Sequence, residues 1–131
     1  MARARGTGTG GGPRREPIYV AKAEFFRVLG HPARVRILEL LRDNGEMSVG
    51  ELQAALQLDS SGTSQHLGVM RRQGILESRK ESTSVYYRAR DPRIFQLLEA
   101  ARQILSSSLE ATQALLSELT LAAPPGSSRT S

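Results

Sequence analysis

Helical periodicity that is stopped repeatedly is the feature that most constrains the fold of this chain. Apolar residues recur at helical spacing from Glu16 onward, but Gly30, the turn sequence at 43–45 and Gly74 each end a run. Pro32 is tolerated only in the first turn of a helix, so a second helix begins there. The predicted inner stripes are Ile18, Ala21, Phe25, Val28 and Leu29 in the first helix and Val35, Leu38 and Leu41 in the second.

Capping residues mark the third and fourth helices. Ser48 lies three residues before Glu51, which is the spacing of a capping box. Asp59 can offer its carboxylate to the free amides of a fourth helix over residues 60–73. The side chains predicted to face inward are Val49, Leu52 and Leu56 in the third helix and Leu67 and Met70 in the fourth.

Two short β-strands and one long helix follow. Residues 75–79 and 84–88, the second with Val85-Tyr86-Tyr87, predict a strand, a turn and a strand. Helix restarts at Asp91-Pro92, and its apolar residues keep a heptad-like spacing over about 30 residues. A small domain cannot cover so long a stripe by itself, so we expect a partner helix.

The length of 131 residues predicts one domain, over residues 16–121. The flanks 1–15 and 122–131 are rich in small and polar residues and are expected to be disordered, the first as a basic tail. The absence of cysteine excludes disulfides, thiolate metal sites and cysteine nucleophiles. With neither a membrane-spanning run nor a secretory signal, a cytoplasmic protein without membrane association is expected.

The positive charge of the chain is concentrated in particular segments. The net charge of +5 comes from the two ends, and the interior 16–121 is neutral. Within that interior, residues 60–90 carry six cations against two carboxylates. This polarised layout is typical of a protein that contacts a polyanion on one face. A merely solvated charged surface is the alternative.

Two helices joined by a tight turn and followed by a basic hairpin predict a winged helix-turn-helix, mostly α with a small β-hairpin wing, in the order α-α-α-α-β-β-α. At about 100° per residue, one row of the fourth helix lies opposite its buried face. That row consists of Ser61, Gln65, Gly68 and Arg72. Gln65 can pair with the edge of adenine, and Gly68 lets the helix approach the groove closely. Ser61 and Arg72 are placed to hold phosphates.

Ser60, Ser64 and Arg71 share one flank of the fourth helix, where they are expected to position the helix on the DNA backbone. His66 lies on the inward edge, and the pattern leaves open whether it is a packed histidine or a base reader. His31, directly before Pro32, is expected to cap a helix rather than to act as a ligand or base.

Three fragments, residues 29–38, 58–67 and 85–87, resemble the ArsR/SmtB family of bacterial transcriptional repressors. The resemblance implies a homodimer, joined through its first and last helices, that binds an operator and leaves it when an inducer binds. It also implies that Ser61, Ser64, Gln65 and His66 lie where the reading helix of the family meets DNA.

The chain departs from the family at the metal sites and at the hairpin tip. Ser48 and Gly50 stand where family metal sensors carry two cysteines. At the second family site Asp91 remains, but the other three ligand positions hold Arg93, Ile104 and Ser107. We therefore expect no metal and no other cofactor.

Ser82 and Thr83 replace the glycine and arginine common at the hairpin tip, which leaves phosphate contact by the wing to Arg79 and Lys80.

These observations favour a sequence-specific, dimeric DNA-binding repressor on a pseudo-palindromic duplex operator, with half-sites about one helical turn apart. The alternative is a winged-helix module that binds another protein. An enzyme is not expected, because the two histidines stand on separate helices without a carboxylate at a catalytic spacing. The sequence leaves open whether release follows a small molecule, a partner protein or a change in protein concentration.

Overall fold

Five helices and three strands make up residues 16–122, the part of the chain that the computed structural model describes. In chain order they are α1 (Ile18–Leu29), α2 (Pro32–Asn44), β1 (Glu46–Ser48), α3 (Val49–Leu56), α4 (Ser60–Arg72), β2 (Leu76–Glu81), β3 (Ser84–Ala89) and α5 (Arg93–Ala122). Residues 16–90 form one compact unit, and α5 lies in a second. The predicted disordered tails lie outside the described residues, apart from Ala122, which ends α5.

The predicted helix starts are confirmed by their caps. His31 Nδ1 accepts a hydrogen bond from the amide of Ala33 at 3.1 Å, so this histidine caps α2 as expected. The capping box of α3 is complete, because Ser48 Oγ accepts from the Glu51 amide and Glu51 Oε1 accepts from the Ser48 amide. Asp59 Oδ1 caps α4 by accepting from the Gly62 amide at 2.7 Å. Local sequence therefore determines where these helices begin.

The sheet has one strand more than the sequence pattern predicted. Its three antiparallel strands lie in the order β1-β3-β2, with Met47 of β1 opposite Tyr87 of β3. A three-residue strand has too little alternation to be recognised, and it forms because β3 offers it a free edge. The hairpin of β2 and β3 is confirmed, with Glu81 opposite Ser84 across a two-residue turn.

The core of the first unit is formed by α2, α3, α4 and β2, together with the end of α1. Its fully buried side chains are Val28, Ile37, Leu38, Leu41, Leu52, Thr63, Leu67, Met70 and Leu76. The prediction for α1 was only half right, because Ile18 and Ala21 are exposed while Val28 and Leu29 are buried. The first turns of α1 have no layer of this unit to pack on.

Helices α1 and α5 each expose several large apolar side chains. On α1 these are Ile18, Tyr19, Val20 and Phe26, and on α5 they are Ile104, Leu105, Leu109, Leu115, Leu116, Leu119 and Leu121. Except for Leu121, the residues on α5 fall within one arc of the helix at about 100° per residue. Exposed apolar stripes of this length mark an interaction surface.

Thr63 provides a test of the packing beneath α4. Its side chain is fully buried, and its hydroxyl has no hydrogen-bond partner among the described residues. We expect Thr63→Val to raise the free energy of unfolding by about 1 kcal/mol, since it removes an unsatisfied buried hydroxyl. Urea denaturation measures this change. Thr83→Val, at the exposed turn of the hairpin, is the matched control and should stay within about 0.5 kcal/mol. A loss of stability in Thr63→Val would contradict the prediction.

Candidate nucleic-acid interface

The outward row predicted on α4 is exposed. Ser61, Gln65 and Arg72 are exposed and Gly68 is half-buried, while Thr63, Leu67 and Met70 on the opposite face are buried. The helical periodicity therefore divided the helix correctly into an inner and an outer face. No large apolar side chain interrupts the outer row, so the row can lie against a polar partner along its whole length.

Gly68 and Arg72 are neighbours on this surface. A Cβ atom added at Gly68 would lie 3.2 Å from a terminal guanidinium nitrogen of Arg72, so the arginine lies back across the position where glycine has no side chain. The glycine thus leaves room for the guanidinium as well as for a close approach of the helix. The outer face of α4 carries a cation in its centre rather than only at its end.

The beginning of α4 is suited to an anion. Ser60, Ser61 and Ser64 are exposed around the first turn, where free backbone amides and the helix dipole favour negative charge. Asp59 occupies one of these amides, and a Cβ at Gly62 would come within 2.9 Å of its Oδ1 atom. A larger residue at position 62 would require the Asp59 carboxylate to shift.

His66 is a packed and hydrogen-bonded residue. It is half-buried, its Nδ1 accepts from Arg34 Nε at 3.1 Å, and its ring centroid lies 4.4 Å from that of His31. Burial, followed by the charges of His31 and Arg34, lowers the pKa of His66 from its ordinary value. With Nδ1 bound to Arg34, the Nε2–H group is what His66 can offer to a base, and this second interpretation stays a prediction.

Two arginines of the wing, the hairpin of β2 and β3, are paired with carboxylates. Arg79 forms a two-point ion pair with Glu46 of β1, at 2.8 Å for each bond, and also pairs with Glu81. Its guanidinium lies 4.6 Å from the ring centre of Tyr86. Arg88 of β3 pairs with Glu77 of β2.

This arrangement follows from the register of the sheet. Glu46, Arg88 and Glu77 lie side by side across the three strands, and Arg79 lies opposite Tyr86 two residues further along the hairpin. Side chains two residues apart share a face, so Arg79 reaches Glu46 across the ring of Tyr86. The pKa of Glu46 is lowered and that of Arg79 raised, chiefly by their mutual hydrogen bonds.

Among the described residues, Arg71, Arg72 and Lys80 are exposed and form no ion pair, in contrast to Arg79. Arg79 keeps two N–H donors that its ion pairs do not use, but its charge is already offset by Glu46 and Glu81. The structure thus favours Lys80 as the cation that the wing offers.

Asp91 is the one family metal ligand that this chain keeps, and its carboxylate is already bound by a neighbouring side chain. Both carboxylate oxygens of Asp91 accept hydrogen bonds from the side chain of Arg93, which lowers the pKa of Asp91 to about 2. Ser48, at one of the cysteine positions, caps α3. Within residues 16–122, no three carboxylates or histidines are grouped as metal ligands.

Comparison with known proteins identifies the class. Residues 29–79 match a model described as a helix-turn-helix domain. The HTH-type transcriptional regulator Rv0081 of Mycobacterium tuberculosis is 46% identical over 105 residues, which cover 79% of this chain and 91% of the relative. A biofilm growth-associated repressor of Agrobacterium fabrum is 36% identical over 98 residues, covering 75% of this chain and 83% of the relative.

Solved structures agree with these relatives. The crystal structure of Rv0081 has a TM-score of 0.69 at 45% identity and covers 75% of this chain and 98% of its own. The homodimeric winged helix-turn-helix domain of Mb0332 from Mycobacterium bovis, a possible ArsR-family regulator, has a TM-score of 0.65 at 26% identity, with 72% and 86% covered.

This chain belongs to the ArsR/SmtB family of winged helix-turn-helix proteins. It is a DNA-binding transcriptional regulator and not an enzyme, as the sequence predicted. None of the described helices is both long and apolar enough to cross a membrane.

Sequence reasoning missed two residues that shape this surface. Glu46, in the unrecognised strand β1, gave no sign that it would bind Arg79, which lies 33 residues away. Arg34 did carry a signal. It precedes Leu38 by one helical turn, so it lies on the inner side of α2, where a cation requires a partner.

The two wing cations should differ in how they affect salt-dependent DNA binding. We expect Lys80→Gln to reduce the slope of log affinity against log salt by about one, because one phosphate contact is lost. We expect Arg79→Gln to leave the slope close to that of the wild type, since its charge is already paired with Glu46 and Glu81. Fluorescence anisotropy on one duplex over a series of salt concentrations gives both slopes. Equal reductions in the two variants would show that Arg79 contributes a phosphate contact like that of Lys80, despite its ion pairs.

Proposed function

We propose that the protein is a dimeric, sequence-specific repressor that reads duplex DNA with α4. The observation that carries the proposal is the exposed polar row of Ser61, Gln65 and Arg72, opposite a fully buried face. A rigid helix that presents donors and acceptors along one side matches the dimensions of the major groove. The relative from Agrobacterium fabrum, which is named a repressor, supports the direction of regulation.

Each residue of the surface has a distinct proposed role. Gln65, near the middle of the exposed face, pairs its amide with an adenine edge. The residues proposed to contact the backbone are Ser60, Ser61, Ser64, Arg71 and Arg72 on α4 and Lys80 on the wing. Arg79 is a second, weaker wing residue, which contacts phosphate through the N–H groups that its ion pairs leave unused. Gly68 allows the close approach. His66, whose Nδ1 is bound to Arg34, can read a base through Nε2.

A second copy of the chain is the proposed partner of the exposed apolar residues on α1 and α5. Leu105, Leu109 and Leu116 are each more than half exposed, which a helix in water does not tolerate over such a length without cover. The homodimeric relative from Mycobacterium bovis supports this assembly. Two reading helices related by a twofold axis require a pseudo-palindromic operator with half-sites about one helical turn apart.

Release from DNA is proposed to follow a signal other than a metal. The ion pair of Asp91 with Arg93 and the capping role of Ser48 support this proposal, because neither family metal position offers a free ligand set. Selection of duplexes from a random pool, followed by a screen for compounds that dissociate the complex, tests both the DNA specificity and the effector. A protein that enriches no sequence would contradict the proposed function.

Gln65 provides the sharpest test of the reading face. We expect Gln65→Ala to weaken binding to the selected duplex by about 1 to 3 kcal/mol and to relax the preference at one base pair per half-site. Binding isotherms on the selected duplex and on its single-base variants measure both effects. Gln96→Ala, a matched change on the exposed surface of α5, should alter neither. If affinity and base preference are unchanged in Gln65→Ala, the proposed reading face of α4 is wrong.

The apolar stripe of α5 can be tested by adding charge. We expect Leu109→Glu to raise the dimer Kd by about a hundredfold or more, because each dimer would bury two unpaired carboxylates. Sedimentation equilibrium measures the Kd. Ser117→Glu adds the same charge on the polar side of α5 and should dimerise like the wild type. Equal dimerisation of Leu109→Glu and the wild type would exclude this part of α5 from the interface.

A further inference from the structure

One side chain joins three helices at the inner edge of the reading helix. Arg34, in the first turns of α2, donates from Nε to His66 Nδ1 of α4 at 3.1 Å. Its terminal nitrogen donates to the carbonyl of Val28, near the end of α1, at 3.2 Å. Both contacts are partly buried, so water competes with them less than it does with surface pairs.

We propose that Arg34 is a positioning residue that holds α4 through the neutral imidazole of His66, and that a proton on His66 releases this hold. The consequence for DNA binding rests on the proposed role of α4, but the hold itself does not. Neither residue has to touch DNA for the proposal to be correct.

The chemistry of the imidazole makes the contact depend on its protonation state. Arg34 is a permanent cation and a donor only, so it needs a lone pair on His66 Nδ1. A proton added to the ring takes that lone pair and places a second cation against the guanidinium. His31 cannot take over as acceptor for Arg34, because its own Nδ1 already accepts from the amide of Ala33.

Among the residues that the structure describes, no carboxylate offsets the charge that His66 would gain. The groups that act on it electrostatically are His31 and Arg34, both from the beginning of α2, and both disfavour a proton. The contribution of α1 is the Val28 carbonyl, which is bound to Arg34. On α4 itself, the residues one turn away are Gly62, Thr63, Val69 and Met70, none of which titrates.

The direction of the pH effect follows from these contacts. The pKa of His66 in the folded protein lies below its ordinary value of 6.5, chiefly because of burial. As the pH falls through 6.5, the unfolded or released side chain takes a proton before the packed one does, so the hold weakens on acidification. Gln65 directly precedes His66 on α4, so a loosened His66 changes the orientation of the reading row.

Amide hydrogen exchange in the free, full-length protein tests, without DNA, whether the contact of Arg34 with His66 stabilises α4. We expect the protection factors of residues 60–72, relative to those of α3, to fall between pH 8 and pH 5.5. The fall should reach about tenfold for each unit by which the pKa of His66 lies below its ordinary value. His66→Asn keeps an acceptor near the Nδ1 position but cannot titrate, so its relative protection should not change with pH. Arg34→Met should have low relative protection at both pH values.

His31→Asn is the matched control, because asparagine also caps helices and His66 then remains the only histidine. This variant should keep the direction of the wild-type pH dependence but with a smaller amplitude, because the charge of His31 no longer acts on His66. Identical pH dependence in the wild type and His66→Asn, or wild-type behaviour in Arg34→Met, would overturn the proposal. If His66→Asn does not fold, NMR titration of the His66 ring decides. Its pKa should rise in Arg34→Met, and an unchanged pKa would refute the role of Arg34.

Binding to a duplex selected from a random pool connects the hold to function. The ratio of specific to non-specific affinity should fall on acidification in the wild type and in His31→Asn, but not in His66→Asn. Acidification makes any protein more positive and so raises its affinity for all DNA. The ratio of specific to non-specific affinity corrects for this general increase. If no duplex is selected, the proposed function fails while the exchange experiment still decides the hold. Equal ratios at all pH values in the wild type would refute the connection to DNA.

Discussion

The structure depends on the burial of one face of α4. Leu67 and Met70 are almost completely buried, and α4 packs against α2, α3 and β2 through that face. Burial of a side chain of this size contributes about 1.5 to 3 kcal/mol relative to exposure, which is more than any single surface ion pair supplies. Because a helix is rigid, anchoring its inner face also fixes the direction of the residues on its outer face. The proposed reading row thus needs few contacts of its own.

The polar contacts around α4 refine what this packing establishes. Asp59 determines where the helix begins, and Arg34 ties its inner edge, at His66, to α2 and to the end of α1. The first contact is local, because Asp59 and the Gly62 amide lie within one helical turn. The second requires a neutral imidazole. The orientation of the helix therefore includes one contact that can respond to the conditions around the protein.

The wing shows how charge counted along a chain can mislead. Residues 60–90 carry six cations, yet two of them, Arg79 and Arg88, are paired with Glu46, Glu77 and Glu81 on one face of the sheet. Exposed pairs such as these contribute little stability, but they reduce the positive charge available to a polyanion. The cations of this segment that form no ion pair within the described residues include Arg71, Arg72 and Lys80, so the electrostatic attraction shifts from the wing toward the end of α4.

The sequence by itself determined the features that depend on neighbours within one or two helical turns. The caps at His31, Ser48 and Asp59, the ends of the helices and the division of α4 into two faces all follow from residues a few positions apart. Only the tertiary structure decided the contacts of Arg79 with Glu46 and of Arg34 with His66, which join residues 33 and 32 positions apart. It also decided that three residues at 46–48 form a strand. Such pairs leave no periodic trace, because the folding of the intervening chain, not local propensity, brings them together.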